Sequence, residues 1–417
     1  MNAEIISVGT ELLLGNIVNT DARDLAVTLG ELGINVFWQT VVGDNRERLT
    51  AAVEIARQRA DIIITTGGLG PTCDDLTKQT VAAAFGIEMY YDAHAEEELR
   101  AYFRVEKGGS MTDNNLQQCW LPVGCTPFYN TCGTAPGCGF TAPDGTHVLI
   151  LPGPPKEMNA MMAHGGVDFL RSLSDEHILS HNIMTFGMGE SRIEDMLRDK
   201  MNALTNPTLA TYAKEGEVRL RVTAKAATEA EAEAMMAPIV EDVKRALGDK
   251  VYGVDTPSLE DTAMRLLLAR KETFSAAESC TGGLIAKRIT DIPGSSAVFR
   301  GGVTVYTNDV KMLLGVKPET LDRYSAVSYE TAVELAENVR MKLGADYGLS
   351  VTGVAGPDSD GLHAVGTVFV GLATRSETYV RSLQLGERSD RSRIRTLAAN
   401  HAFDMLRRCL TGLPVVV

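Results

Sequence analysis

The chain lacks long apolar runs, basic stretches and, over much of its second half, histidine. Each absence removes a class of function. No segment is long and apolar enough to span a bilayer. The opening "MNAEIISVG" carries an early acid and no secretory pattern. A cytoplasmic protein without a membrane partner is the expectation. The net charge is -14, and Arg388, Arg391, Arg393 and Arg395 share their segment with Glu387 and Asp390. A chain of that sign repels a phosphate backbone, so nucleic acid is not an expected partner. No pair among Cys119, Cys125, Cys132 and Cys138 has the two-residue spacing of a zinc knuckle. Reduced cysteines in loops are the expectation. No histidine lies between His181 and His363, so a Ser–His–Asp triad is hard to assemble locally there.

What is present is a globular composition, 44% apolar and 23% charged over 417 residues. At roughly 150 residues per domain this predicts two or three domains. The first part alternates strand and helix. "EIISVG", "INVFWQTVV", "DIIITT" and "THVLILPG" read as strands. "NTDARDLAVTLGELG", capped by Asn19 or Thr20, "DNRERLTAAVEIARQR", opened by Asp44, and "LTKQTVAAAFG" read as helices. Such alternation implies a parallel sheet covered on both faces. After residue 172 the order changes to a small α+β module, followed by a third α/β region. The expected domains are 1–172, 173–254 and 255–417.

Two stretches carry chemistry. In "TTGGLGPTCDDLT", Gly67, Gly68 and Gly70 follow a buried strand and precede a helix. Glycines let a backbone approach a ligand, and helix N–H groups suit phosphate. Asp74 and Asp75 beside a phosphate imply a divalent cation, with those two as its ligands. Glu11, after the first strand, falls at the same sheet edge. The plain alternative is a glycine turn with an aspartate cap.

The second stretch places Ser279, Cys280, Thr281, Ser295, Ser296, Tyr306 and Lys311 close together in sequence. A serine needs a base, and a desolvated lysine can serve. Backbone N–H groups near Gly294 or Gly282 offer an oxyanion hole. The alternative is a set of helix caps and a solvated lysine. Cys280 reads as a small packed residue rather than a nucleophile.

"GTELLLGNIVNTDARDLA", "TTGGLGPTCDDLTKQTV" and "LPGPPKEM" resemble the N-terminal domain of the CinA family. "AAESCTGGLIAKRITDIPGSSAVFRGGVTVYTNDVKMLLGV", "SVTGVAGPD" and "VGTVFVGLA" resemble its C-terminal domain. The resemblance runs in order along essentially the whole chain. It implies a molybdopterin-binding-like three-layer α/β domain, a small α+β module and a C-terminal α/β deamidase domain. The implied activity is hydrolysis of nicotinamide mononucleotide to nicotinate mononucleotide and ammonia without a cofactor. A second, metal-dependent cleavage of ADP-ribose is implied for the N-terminal domain, at Glu11, Gly67, Gly68, Asp74 and Asp75. By resemblance Ser296 is the nucleophile and Lys311 its base. Tyr306 and Ser279 are hydrogen-bonding partners, Gly294 lines the site, and Thr352 and Arg388 hold substrate. The expected partners are small nucleotides and a second copy in a homodimer. The competing reading is a non-catalytic pterin- or nucleotide-binding protein of a competence or DNA-damage response. The chain departs from the family in "NTD" at 19–21, in "YNTCGTAPG", and in the short "SDGLHAVGTV" after "GPD".

Overall fold

The computed structural model describes residues 1–106, 109, 111–173, 177–386 and 389–416. They divide into two compact units. One holds residues 1–179 with 223–234, the other 180–222 with 235–417.

In the first unit, apolar β-branched runs form a six-stranded sheet. Its order is Asn35–Val42, Asn2–Val8, Ile62–Thr66, His147–Leu151, Gly137–Thr141, Thr126–Phe128. The first four are parallel and the last two join antiparallel. Side chains alternate between faces. Ile6, Val8, Ile63, Val148 and Ile150 pack into one core. Ala3, Ile5, Ile62, Ile64, Leu149 and Leu151 pack into another. Two cores on one sheet make the three-layer α/β domain that the alternating pattern predicts.

Local signals set the helices with small corrections. Asn19 caps Thr20–Glu31, its side chain accepting from the Ala22 N–H at 3.1 Å. Arg46–Arg57 is capped by Asn45, not by Asp44, because Asp44 is drawn away by the Thr10 N–H and hydroxyl, both at 2.8 Å. The cysteine expectation needs a larger correction. All seven are free thiols, but Cys119 and Cys138 are buried, and Cys138 lies within the strand Gly137–Thr141. Packing, not loop exposure, accounts for them.

The middle module pairs four strands in the order Thr208–Lys214, Glu217–Ala226, His177–Phe186, Val251–Val254. Along Glu217–Ala226, Val218, Leu220, Val222 and Ala224 are buried while their neighbours are not. The helices Glu190–Ala203 and Glu229–Leu247 complete it.

The C-terminal domain has a five-stranded mixed sheet, ordered Phe299–Thr304, Phe274–Glu278, Tyr347–Gly353, Thr367–Ala373, Thr378–Gln384. The first three strands are parallel and the last two antiparallel. Ser328 caps Tyr329–Lys342 and Asp390 caps Arg391–Leu410, each accepting from the N–H three residues on. The parallel strands end together, and the polar residues that follow them meet at that edge. No described helix is long and apolar enough to cross a membrane.

Candidate functional site

Ser279 directly follows the central strand Phe274–Glu278. The chain then turns through Gly282 and Gly283, both at positive φ (59° and 95°), into the helix Leu284–Thr290. A hydroxyl cap from Ser279 or Thr281 is the plain alternative at this helix start, and the helix has none. Instead the carboxylate of buried Glu278 takes the N–H groups of Gly283 and Ile285, both at 3.0 Å, and of Ala286 at 2.9 Å. A full charge meets the positive helix end, which fixes the strand–turn–helix geometry. The Ser279 hydroxyl is thereby left for other work.

That hydroxyl accepts from Lys311 Nζ at 3.2 Å. Lys311 is only 2% exposed, and Ser279 8%. The lysine sits in the helix Asn308–Leu314 and also donates to the carbonyls of Val305 (2.8 Å) and Tyr306 (3.4 Å). No carboxylate pairs with it among the described residues. Burial therefore pushes its pKa down, partly countered by the nearby Cys280. A lysine so placed holds a neutral amine more readily than one in water.

Ser279, Tyr306, Lys311 and Thr352 line one open cavity of about 390 Å³. Thr352 is buried and its hydroxyl donates to the Ala326 carbonyl at 2.6 Å. Tyr306 is 59% exposed. Its hydroxyl accepts from Arg391 Nη2 at 3.0 Å, while Arg391 Nη1 donates to the Gly356 carbonyl at 2.7 Å. Arg391 is a wall residue that sequence reasoning passed over in favour of Arg388. Arg388 lies outside the described residues. Helix phase gave the missing signal, since Asp390 caps the helix and Arg391 begins it at the cavity edge.

Ser296 and Gly294 are not among the described lining residues of this cavity. The register explains why. Phe274 pairs with Phe299 and Glu278 with Thr304 in parallel. Ser296 thus precedes its strand, whereas Ser279, Tyr306 and Lys311 follow theirs. The strand between has six residues, so at roughly 3.3 Å each Ser296 lies about 20 Å from Lys311. Within one chain the expected Ser296–Lys311 pair is not brought together. Ser296 is exposed on the turn Ser295–Ala297.

Cys280 does line the cavity, but it is buried and its thiol is pushed up to about 12, chiefly by desolvation. A protonated thiol is a poor nucleophile. A Cys280→Ser protein is expected to keep at least about half of any ammonia release that the native protein shows from a carboxamide substrate. Near-complete loss would return the cysteine to consideration.

In the N-terminal domain, Gly67 and Gly68 sit at φ 102° and 67°. A Cβ on Gly67 would lie 2.1 Å from the Val8 carbonyl oxygen, and one on Gly68 2.2 Å from Thr77 Oγ1. Close approach between neighbouring strand ends and the following helix thus requires both glycines. Gln118 and Gln117 hold the loop from outside, donating to the carbonyls of Leu69 (3.1 Å) and Thr72 (2.7 Å). Asp75 is committed to its own turn, accepting from the Thr72 N–H at 2.9 Å and hydroxyl at 2.7 Å. Asp74 and Glu11 are exposed. Among the described residues no three His, Cys, Asp or Glu side chains are placed to hold a metal ion. The carboxylates present do not make a protein-only metal site. Asp21, unnoticed as a candidate from sequence, is the buried acid at this edge. It accepts from Thr66 Oγ1 at 2.7 Å, its other oxygen has no partner, and burial raises its pKa.

Three family models match the chain in this order: "Probable molybdopterin binding domain" over residues 4–172, "Damage-inducible protein CinA KH domain" over 180–253, and "CinA C-terminal domain" over 256–410. A "CinA-like protein" of Kosmotoga olearia is 45% identical over 418 aligned residues, covering all of both chains. The chain belongs to the CinA family. A competence-damage inducible protein from a Thermoanaerobacter species is 46% identical, again over the full length of both. A solved CinA structure from Thermoplasma acidophilum, described as of unknown function, is 34% identical. It covers 40% of this chain and 98% of its own, with a TM-score of 0.37. The CinA architecture is therefore a molybdopterin-binding-type α/β domain, a KH-like module and a C-terminal domain with a mixed sheet.

Proposed function

We propose that the C-terminal domain is a nicotinamide-nucleotide amidohydrolase working by serine acyl chemistry. The contact between Lys311 Nζ and Ser279 Oγ on the wall of an open cavity carries this reading. Neutral Lys311 takes the proton of a serine hydroxyl as its oxygen attacks the carboxamide carbon. The tetrahedral intermediate collapses as Lys311 returns that proton to the leaving nitrogen, and ammonia departs. Water then hydrolyses the acyl-enzyme to the carboxylate. The Gly282 N–H is spent on the Ser279 carbonyl at 3.1 Å. Arg391, a cation on the wall of the same cavity, is the partner this reading gives the nucleotide phosphate.

Within one chain, Ser279 is the hydroxyl that Lys311 reaches. Ser296, the nucleophile implied by resemblance, would have to come from a second copy, in keeping with the expected homodimer. Ammonia release from nicotinamide mononucleotide by the native, Ser279→Ala and Ser296→Ala proteins decides between them. Loss of about 10³-fold or more is expected for Ser279→Ala and little change for Ser296→Ala. The reverse pattern, with activity restored on mixing Ser296→Ala and Lys311→Met proteins, would place the nucleophile across two copies. No ammonia from the native protein would favour a binding role instead.

For the N-terminal domain the reading is a pyrophosphate ligand such as ADP-ribose at the Gly67–Gly68 loop, with any divalent cation held largely by the ligand's own phosphates. No catalytic step is assigned there. The KH-like module gives no support to nucleic-acid binding, since residues 180–253 contain no G-x-x-G loop and the chain is strongly acidic.

A further inference from the structure

The loop that follows Gly356 supplies acids to the cavity wall, and from Ser359 onward it departs from the family pattern. Asp358 and Asp360 both line it, on the same cavity as Lys311 and Arg391. The two aspartates differ in what they are free to do. Asp360 is consumed by its own loop. Its Oδ1 accepts from the N–H groups of Leu362 (2.9 Å) and His363 (2.6 Å), and its Oδ2 meets His363 Nδ1 at 3.1 Å. Asp358 is exposed and has no hydrogen bond or ion pair among the described residues. Among the described residues Arg391 likewise has no carboxylate partner, its bonds going to the Gly356 carbonyl and the Tyr306 hydroxyl. Among the described residues the wall therefore carries an anion and a cation that are not paired with an opposite charge, besides the buried Lys311. Such a wall complements a ligand that bears both signs.

We propose that Asp358 is a specificity determinant that selects an N-alkylated pyridinium ring, with its fixed positive charge, over uncharged carboxamide rings. The inference rests on the amidohydrolase reading, which it refines. A nicotinamide nucleotide has an anionic phosphate for Arg391 and a cationic ring for Asp358, with the carboxamide between them for the serine and Lys311. The reduced dihydropyridine form has the same phosphate and amide but no ring charge. The ring charge persists from substrate through transition state to product. Asp358 therefore contributes binding that is uniform along the reaction, and its loss raises KM while leaving kcat nearly unchanged.

The test uses the full chain, nicotinamide mononucleotide as substrate and its reduced form as competitive inhibitor of ammonia release. Asp358→Asn is expected to raise KM about three- to fivefold, the upper range for one exposed charge pair. The kcat, and the Ki of the reduced form, are expected to stay within about twofold. Asp358→Glu, which keeps the charge, should recover most of the difference. Added salt should raise KM for the native protein and hardly for Asp358→Asn. An unchanged KM, or KM and Ki rising together as in a general loop disturbance, overturns the proposal. Calorimetric titration with both forms keeps the two readings apart. Preference for the oxidised form that vanishes in Asp358→Asn, without ammonia release, would sink the hydrolase reading and leave the charge selection standing. Equal affinity of the native protein for both forms would sink the selection alone.

Discussion

Replacement of Lys311 by Met is expected to lower ammonia release by about 10³-fold or more while the protein stays folded. Methionine is unbranched and apolar and can fill the slot among Val305, Tyr306 and Ser279. It removes an ammonium that burial disfavours, so stability should hold or rise. Only the neutral amine can accept the serine proton. Burial pushes the Lys311 pKa below its ordinary 10.5. The neutral fraction therefore grows as pH rises through that lowered value, and native kcat/KM should climb and level off before pH 10.5. In Lys311→Met the residual rate should lack this limb. Rate profiles from pH 6 to 10.5 check both expectations. A variant that keeps a tenth of native activity would remove Lys311 from the chemistry.

Glu278→Ala is expected to cost about 2 to 4 kcal/mol of stability, because it strands one buried and two half-buried donors and deletes a charge-assisted cap. The carboxylate is buried and receives N–H groups from Gly283, Ile285 and Ala286. Glu278→Gln keeps shape and acceptor oxygen but not charge, and should lose roughly half as much. Chemical denaturation followed by circular dichroism reads the loss. Because Ser279 is the next residue, activity should fall with stability in Glu278→Ala. A shift below about 1 kcal/mol would mean that the turn holds without this acid.

Much of this architecture was legible in the sequence because it depends on local patterns. The strand Ile62–Thr66 is an unbroken apolar and β-branched run. Asn19, Ser328 and Asp390 announce helices by side chains that can bind an N–H three residues on. The short antiparallel strands Thr126–Phe128 and Gly137–Thr141 were not legible. They are three and five residues long, contain Pro127 and two glycines, and gain their state from the sheet edge they join.

The candidate site divides in the same way. The order of residues along the chain leaves Ser279, Tyr306 and Lys311 open between chemistry and plain helix caps, although each follows a strand end in a parallel α/β fold, and their roles are what the family resemblance implies. It could not separate Ser279 from Ser296. Both sit in turns beside glycines, and the choice depends on which end of the sheet each turn occupies. Only strand register decides that, and it places one serine against Lys311 and the other at the opposite edge. Tertiary structure likewise chose Glu278 over a hydroxyl as the helix cap and brought Arg391 to the cavity. Sequence by itself determined the family, the fold class and the kinds of chemistry available. Which groups meet was settled by packing, because a hydrogen bond needs atoms within about 3 Å and spacing along a chain does not fix distance across a sheet.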